Sequence, residues 1–213
     1  MKLKTSLLSI LSALAVVACP GTTQALSVEI FDTLDETDAS PLGFMSGDFL
    51  AQQFITDDSA YALDRITLSL ATGISAATDI KINIWDNDST INQPNKSIFY
   101  ADYTVAPTNG EIDLFQSVVL DPNSKYWVSM QVFSSGTIAV PSWNFTESST
   151  PGGVGVQPNR AVSTSGGVTS VFTSEPQMMK VEGTAVPEPS SMVALLLGVA
   201  TLVGVKKLRP RRA

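Results

Sequence analysis

The sequence predicts an all-β protein: a two-sheet antiparallel sandwich, jelly-roll-like or immunoglobulin-like, flanked by a signal peptide and a C-terminal transmembrane helix. Three observations point there. Apolar and polar residues alternate with period two along much of the chain, as on a strand with one face to a core and one to water. Clusters of Asn, Asp, Pro, Gly and Ser cut that alternation into short pieces. Each end also carries an uncharged apolar run beside lysines or arginines. The chain thus divides into residues 1–25, an exported domain over 26–185 and a C-terminal segment over 186–213.

At the beginning, Lys2 and Lys4 form a positive region, Leu7 to Val17 an apolar stretch, and Thr23-Gln24-Ala25 a small-residue cleavage site. That order is a secretory signal peptide, cut between Ala25 and Leu26. A competing pattern, Val16-Val17-Ala18-Cys19, fits a lipoprotein signal in which Cys19 is lipidated and becomes the first residue. In either case no Cys follows, so the exported body has no disulfide.

Within the body the clearest strands are Ile66 to Leu70, Ile80 to Ile84 and Tyr126 to Val132, each alternating apolar with polar positions. Weaker candidates are Val28 to Asp32, Ala51 to Ile55, Ile98 to Val105, Ile112 to Phe115, Val118 to Leu120, Val168 to Phe172 and Met178 to Glu182. Turn-forming clusters separate them at Asp86 to Asn95, Pro107 to Gly110, Asp121 to Ser124, Pro151 to Gly155 and Ser163 to Gly167. The Gly- and Ser-rich stretch from Ser148 to Gly167 reads as a long loop or a poorly ordered lid. About ten short strands and no internal helix are expected.

Beyond the body, Val186-Pro187-Glu188-Pro189-Ser190 leads into the uncharged run Met192 to Val205, followed by Lys206, Lys207, Arg209, Arg211 and Arg212. The run falls short of the ~20 apolar residues that span hydrocarbon comfortably, so on length alone a soluble C-terminal helix competes. The cationic edge and the lack of a polar stripe favour a bilayer, with the basic cluster on the cytoplasmic side and its lysines snorkelling. Pro187 and Pro189 lack a donor and disfavour helix before them, so the helix should begin near Ser190.

Composition narrows the chemistry. Residues 26–185 hold six Lys and Arg against 19 Asp and Glu, a net charge of −13 that the whole-chain value of −7 conceals. Such a body repels nucleic acid, anionic lipid and acidic polymers, and no nucleic-acid partner is expected. The chain has no His, and the body has no Cys. Zinc sites and Ser-His or Cys-His triads are therefore excluded, while carboxylate-pair hydrolysis survives. No cofactor is expected.

The tail resembles the PEP-CTERM sorting signal of exported proteins in Gram-negative bacteria that make extracellular polysaccharide. Val186 to Ser190 match its core motif, the run to Val205 its hydrophobic helix, and Lys206 to Arg212 its basic end. The resemblance implies that a membrane-embedded exosortase, a cysteine protease-like transpeptidase, recognises the motif and cuts near it. The body would then pass from an inner-membrane intermediate to the cell surface or extracellular matrix. Pro187, Glu188 and Pro189 would be substrate residues for that enzyme.

A second resemblance covers roughly Ala51 to Val181. Ala51-Gln52-Gln53-Phe54-Ile55-Thr56 and Tyr61 to Leu68 look like the opening of the choice-of-anchor R domain, Ile82 to Asp86 with Pro94 like its next strand and loop, and Leu120 to Val128 like its tyrosine-tryptophan strand. Asn87 to Asn92 depart from that family's glycine-rich loop. The family implies an extracellular β-sandwich carried on different C-terminal anchors, with no established activity and no functional residues to transfer.

Local candidates remain. Asp86 and Asp88 could share a Ca²⁺ through hard oxygens, but Ile91 stands where an EF-hand loop needs Gly and Ser97 where it needs Glu. The plainer alternative is a turn that ends a strand. Trp143 and Phe145, with Asn144 between them, could form an exposed platform on which sugar rings stack, the amide bonding hydroxyls. The plainer alternative packs one ring in the core. Trp127 alternates with the buried set and so faces outward, and Trp85 caps the sandwich. Asn95 and Asn144 head N-glycosylation sequons.

Three functions follow from these readings. The first is a non-enzymatic surface or matrix protein, attached to the membrane through its C-terminal helix until exosortase acts. The second is an extracellular module recognising the producer's exopolysaccharide. The third is a carboxylate glycosidase or lyase, which would need two acids facing each other in a cleft.

Overall fold

The computed structural model describes residues 26–36, 38–42, 49–71, 78–105, 110–115, 117–133, 142–146, 151–155, 161–165, 168–172 and 176–187. Residues 1–25, the expected signal peptide, and the tail from Glu188 onward lie outside them. Among the described residues every regular element is a strand and every pairing is antiparallel. In order they are β1 (Ser27–Asp32), β2 (Asp38–Leu42), β3 (Phe49–Ile55), β4 (Tyr61–Ser69), β5 (Thr78–Asp88), β6 (Gln93–Val105), β7 (Glu111–Phe115), β8 (Val119–Leu120), β9 (Lys125–Val132), β10 (Trp143–Thr146), β11 (Ala161–Ser165), β12 (Val168–Phe172) and β13 (Met179–Ala185).

Two larger sheets form. One runs β1-β13-β4-β7, with β8 also on β4; the other runs β12-β11-β3-β9-β5-β6; β10 and β2 make a small separate pair. Alternation explains why they close on one another. Ile66 and Leu68 of β4, Ile112 and Leu114 of β7 and Val181 of β13 share one core cluster with Ile80, Ile82 and Ile84 of β5 and Val128, Met130 and Val132 of β9. All are 6 % exposed or less, and burying each such side chain is worth about 1.5–3 kcal/mol. Phe54 stacks on Tyr126 within this layer, ring centroids 5.6 Å apart. The result is a sandwich whose strands carry polar residues on their other faces.

The outer face of the six-stranded sheet is not simply wet. Ala51, Trp127 and Val162 form a second buried cluster there, with Phe49 and Trp85 packed on it. The register sets these residues in rows across the strands. Gln53 lies opposite Trp127 and Trp127 opposite Trp85; one row on, Ala51 lies opposite Ser129 and Ser129 opposite Asn83.

Several boundaries differ from the sequence reading. The Gly- and Ser-rich stretch 148–167 is not all loop: Ala161–Ser165 is strand β11, held between β3 and β12. Its small polar residues carry no alternation signal, and its order comes from pairing on both sides. The expected turn from Asp86 to Asn95 contracts to four residues, because β5 runs to Asp88 and β6 starts at Gln93. Asp88 Oδ1 accepts from the Thr90 and Ile91 amides, and Asn92, at φ 52°, donates its N–H to the Asp88 carbonyl at 2.8 Å. Trp85 consequently sits inside β5 and does not cap the sandwich.

The open edge of β1 is sealed by the segment 151–155. Asp32 and Gly152 exchange two backbone bonds of 2.9 and 2.6 Å, Val154 N–H donates to Glu29 O and Gly155 N–H to Ile30 O. Gly153 holds φ +110°, a conformation that L side chains rarely adopt. Long edge strand β6 is guarded differently, by Pro94 and by two register irregularities against β5.

Candidate functional site

The two ends of the body meet. Ser27 pairs with Thr184 at the start of β1 and the end of β13, and Asp64 Oδ2 accepts from both hydroxyls, at 3.1 and 2.7 Å. Leu26 is 84 % exposed beside this clamp. On the other side Val186 N–H donates to Ala60 O at 2.8 Å, after which Pro187 stands exposed without a donor to extend the ladder. Of the motif expected from the sequence, Val186 and Pro187 are thus at the surface where the sheet stops. Glu188, Pro189 and Ser190 lie outside the described residues, as do Ala25, Cys19 and the run Met192 to Val205. No helix among the described residues is long and apolar enough to cross a membrane.

The same end of the sandwich gathers the close of β3, the start of β4 and the start of β9, joined by Thr56 N–H to Ser124 O and Asn123 N–H to Asp57 O. Asn123 adopts φ 49°, which an Asn tolerates in a tight turn. Tyr61 O–H donates to Asp57 here. Burial, then that bond, holds its phenol above the usual tyrosine range.

The expected sugar platform does not form at Trp143. This indole is 0 % exposed and its Nε1–H donates to Met178 O at 2.8 Å. Asn144 is buried too, its amide bonded to Ser69 Oγ at 2.9 Å, and its carbonyl accepts from Met178 N–H. Phe145 is half-buried and bridges to Gln177. The physical reason is that β10 docks across the ends of β4 and the residues preceding β13, through Ala71 N–H to Ser142 O and Thr146 N–H to Pro176 O. A tryptophan there closes the end of the core. The sequon at Asn144 is likewise inward, whereas Asn95 is exposed.

Asp86 and Asp88 do not converge as a metal pair. Asp86 Oδ1 accepts from Lys96 N–H at 2.6 Å, and Asp88 Oδ1 caps the turn amides. Among the described residues no group of three His, Cys, Asp or Glu could hold a metal.

The outer face of the six-stranded sheet brings together side chains the sequence did not single out as a set. Trp127 points outward as its parity requires, yet it is 0 % exposed. Its Nε1–H donates to Asn87 Oδ1 at 2.8 Å, and Gln53 Nε2 donates to Asn92 at 2.9 Å. Trp85 Nε1–H donates to Ser129 Oγ at 2.8 Å while its ring meets Phe49 edge-on at 6.4 Å. Two rows further, Lys81 Nζ lies 5.1 Å from the Tyr100 ring centroid, 5.2 Å from that of Phe133 and 3.7 Å from Asp102. A shallow hollow of about 410 Å³ opens there, lined by Asp79, Lys81, Asp102, Thr104 and Phe133.

Elsewhere, charge is spent on joining strands. Arg65 of β4 pairs with Glu182 of β13, and Lys180 contacts Glu29, Asp32 and Glu182. The hydrogen bond to Glu29, reinforced by Asp32, holds the Lys180 ammonium above its usual range. Burial pushes the Asp32 carboxyl up despite the Leu34 amide and Lys180. Two acids, Asp79 and Asp102, share the lining of the hollow beside Lys81, and Asp86 and Asp121 share that of another of about 420 Å³. Compared with protein-family models and with curated proteins, the chain matches none.

Proposed function

We propose that this is a non-enzymatic exported protein of a Gram-negative cell surface or extracellular matrix, delivered through an exosortase that reads Val186 to Ser190. The body is a β-sandwich of jelly-roll-like or immunoglobulin-like kind, of the sort the choice-of-anchor R resemblance implies. The observation that carries the reading is the junction: the last strand ends at Ala185, and the motif begins on exposed Val186 and Pro187. A processing enzyme could reach the motif without unfolding the sandwich, because the last backbone bond among the described residues, Val186 to Ala60, lies before the first proline. The absence of His from the chain and of Cys from the body, and the net charge of −13, accord with a body that does no Ser-His, Cys-His or zinc chemistry and stays soluble.

The test is intact-mass analysis of the protein from exosortase-positive and exosortase-deleted hosts. A chain starting at Leu26 and ending within or near the motif is expected in the first, with membrane retention of the longer chain in the second. Replacing Pro187 and Pro189 together by Ala should reproduce the deletion. Identical full-length chains in both hosts would overturn the proposal.

A further inference from the structure

The hollow at the β5-β6-β9 corner is built unlike the rest of the outer face. Where Trp127 and Trp85 are covered or bonded, Phe133 of the lining is 49 % exposed, and Tyr100, beside Lys81 but outside the lining, is 60 % exposed. They flank one ammonium, and that ammonium faces one carboxylate. Asp79 is held by the Thr104 hydroxyl at 2.7 Å, so its second oxygen is oriented without being neutralised. We propose that this corner is a binding site for a neutral saccharide chain, with Tyr100 and Phe133 as stacking rings and Lys81, Asp102 and Asp79 as hydroxyl partners.

Charge selects the occupant. A polyanion meets a body of net charge −13 and two carboxylates at the hollow itself. A cation meets Lys81 between the rings. A hydroxyl both donates to carboxylate and accepts from ammonium, so a polyol satisfies both partners without importing charge. Two-torsion aromatic side chains offer stacking area at small entropic cost. The hollow, about 410 Å³, is shallow and open, so a chain can lie across it and continue past it.

Position adds a second argument. Phe133 follows the end of β9, and its N–H bonds Asp79 O at the start of β5. The clamp joining Ser27 to Thr184 lies at the other end of the strands, where β9 begins at Lys125. Seven residue steps make β9 roughly 23 Å long, and its Lys125 end adjoins the start of β4 through Asn123 N–H to Asp57 O. A body held at Val186 would present the hollow away from its attachment. Only this orientation rests on the sorting reading; the binding chemistry does not.

The test is affinity electrophoresis of the full chain in mild detergent through gels containing dextran, mannan or hydroxyethylcellulose, with alginate as the anionic counterpart. Retardation by at least one neutral polymer is expected. Tyr100→Ala and Phe133→Ala should each weaken it at least fivefold, and Tyr100→Phe should retain most of it. Both alanine changes fall on exposed side chains, so circular dichroism should be unaltered. Migration unchanged by every neutral polymer overturns the proposal, as does retardation by alginate alone, or retardation indifferent to Tyr100→Ala and Phe133→Ala. A dimer by light scattering that dissociates on Tyr100→Ala, without polymer binding, would overturn it too and give the face to a second copy of the chain.

Discussion

Gly155→Ala should loosen the whole open side of the sandwich. A Cβ at this position would stand 1.9 Å from the Ile55 carbonyl oxygen and 3.1 Å from that of Ile30. Carbon and oxygen need about 3.3 Å or more, so something must move by more than 1 Å. Strand β3 is interior to its sheet, paired to β9 and β11, and resists displacement. The segment 151–155 therefore gives way, and with it the four backbone bonds that join it to β1. At about 1 kcal/mol each, with partial recovery through water, the expected loss is roughly 2–4 kcal/mol. No disulfide backs up this edge, because the body has no Cys. The assay is urea denaturation, paired with hydrogen exchange at the Asp32 and Val154 amides. Gly152→Ala is the control: its Cβ would sit 3.5 Å from Asp32 O, an ordinary contact, and should cost within about 0.5 kcal/mol. If the two variants are equally stable, the segment is not pinned against β3 by Gly155.

Three further outcomes are expected. Trp143→Phe should cost about 1–3 kcal/mol by stranding the Met178 carbonyl, and Trp143→Ala about 3–5 kcal/mol, both read from thermal melts. Polymer retention by folded Trp143→Phe should be unchanged, and its loss with the fold intact would return this ring to the surface. Stability should be flat from about pH 6 to 9, since the chain has no His, and fall as pH rises past the ordinary tyrosine and lysine values of 10.0 and 10.5. Tyr61, Tyr126 and Lys180 are all raised in the folded state, so each favours the fold below its unfolded value and loses that contribution above it; rising stability across pH 10–11 would contradict this. Asp64→Ala should cost about 1 kcal/mol and speed limited proteolysis beyond Thr184, because Ser27 and Thr184 lose their common acceptor.

How far the sequence could be read depended on whether the signal was local. Ile66-Leu68-Leu70, Ile80-Ile82-Ile84 and Tyr126 to Val132 announce their strands because one face of each is packed in the core, and period two is the imprint of that burial. β11 left no such imprint. Of its residues Val162 is buried on the outer cluster, and the strand is fixed by bonds to β3 and β12 that only the assembled sheet supplies. β10 failed for another reason: four residues, Trp143 to Thr146, are too few to show a period, and three of them are buried. A tryptophan flanked by Ser, Asn and Thr then resembles an exposed sugar platform as closely as it resembles a core plug. What separates the two is the Met178 carbonyl, 35 residues away.

The same limit hides the hollow. Lys81 comes from β5, Tyr100 from β6 and Phe133 from just past the end of β9, and nothing in their spacing marks them as neighbours. They meet because β5 lies between β6 and β9, setting Lys81 opposite both Asp102 and Gln131 and Asn83 opposite Tyr100. A one-residue slip of β6 would turn Tyr100 toward the core and bring Phe99 and Ala101 out. The slip is opposed by Phe99, Ala101 and Tyr103, which pack against the main core on the inner face. Core packing on one side of the strand therefore determines which side chains stand exposed on the other. Ala101→Asp tests this directly: a charge on the inner face should destabilise the sandwich, and because register and surface are coupled it should disturb the Lys81 to Tyr100 contact, visible as a shift of the Tyr100 ring resonances. A destabilised but still folded variant with those resonances unmoved would show that the outer face is held by its own contacts instead.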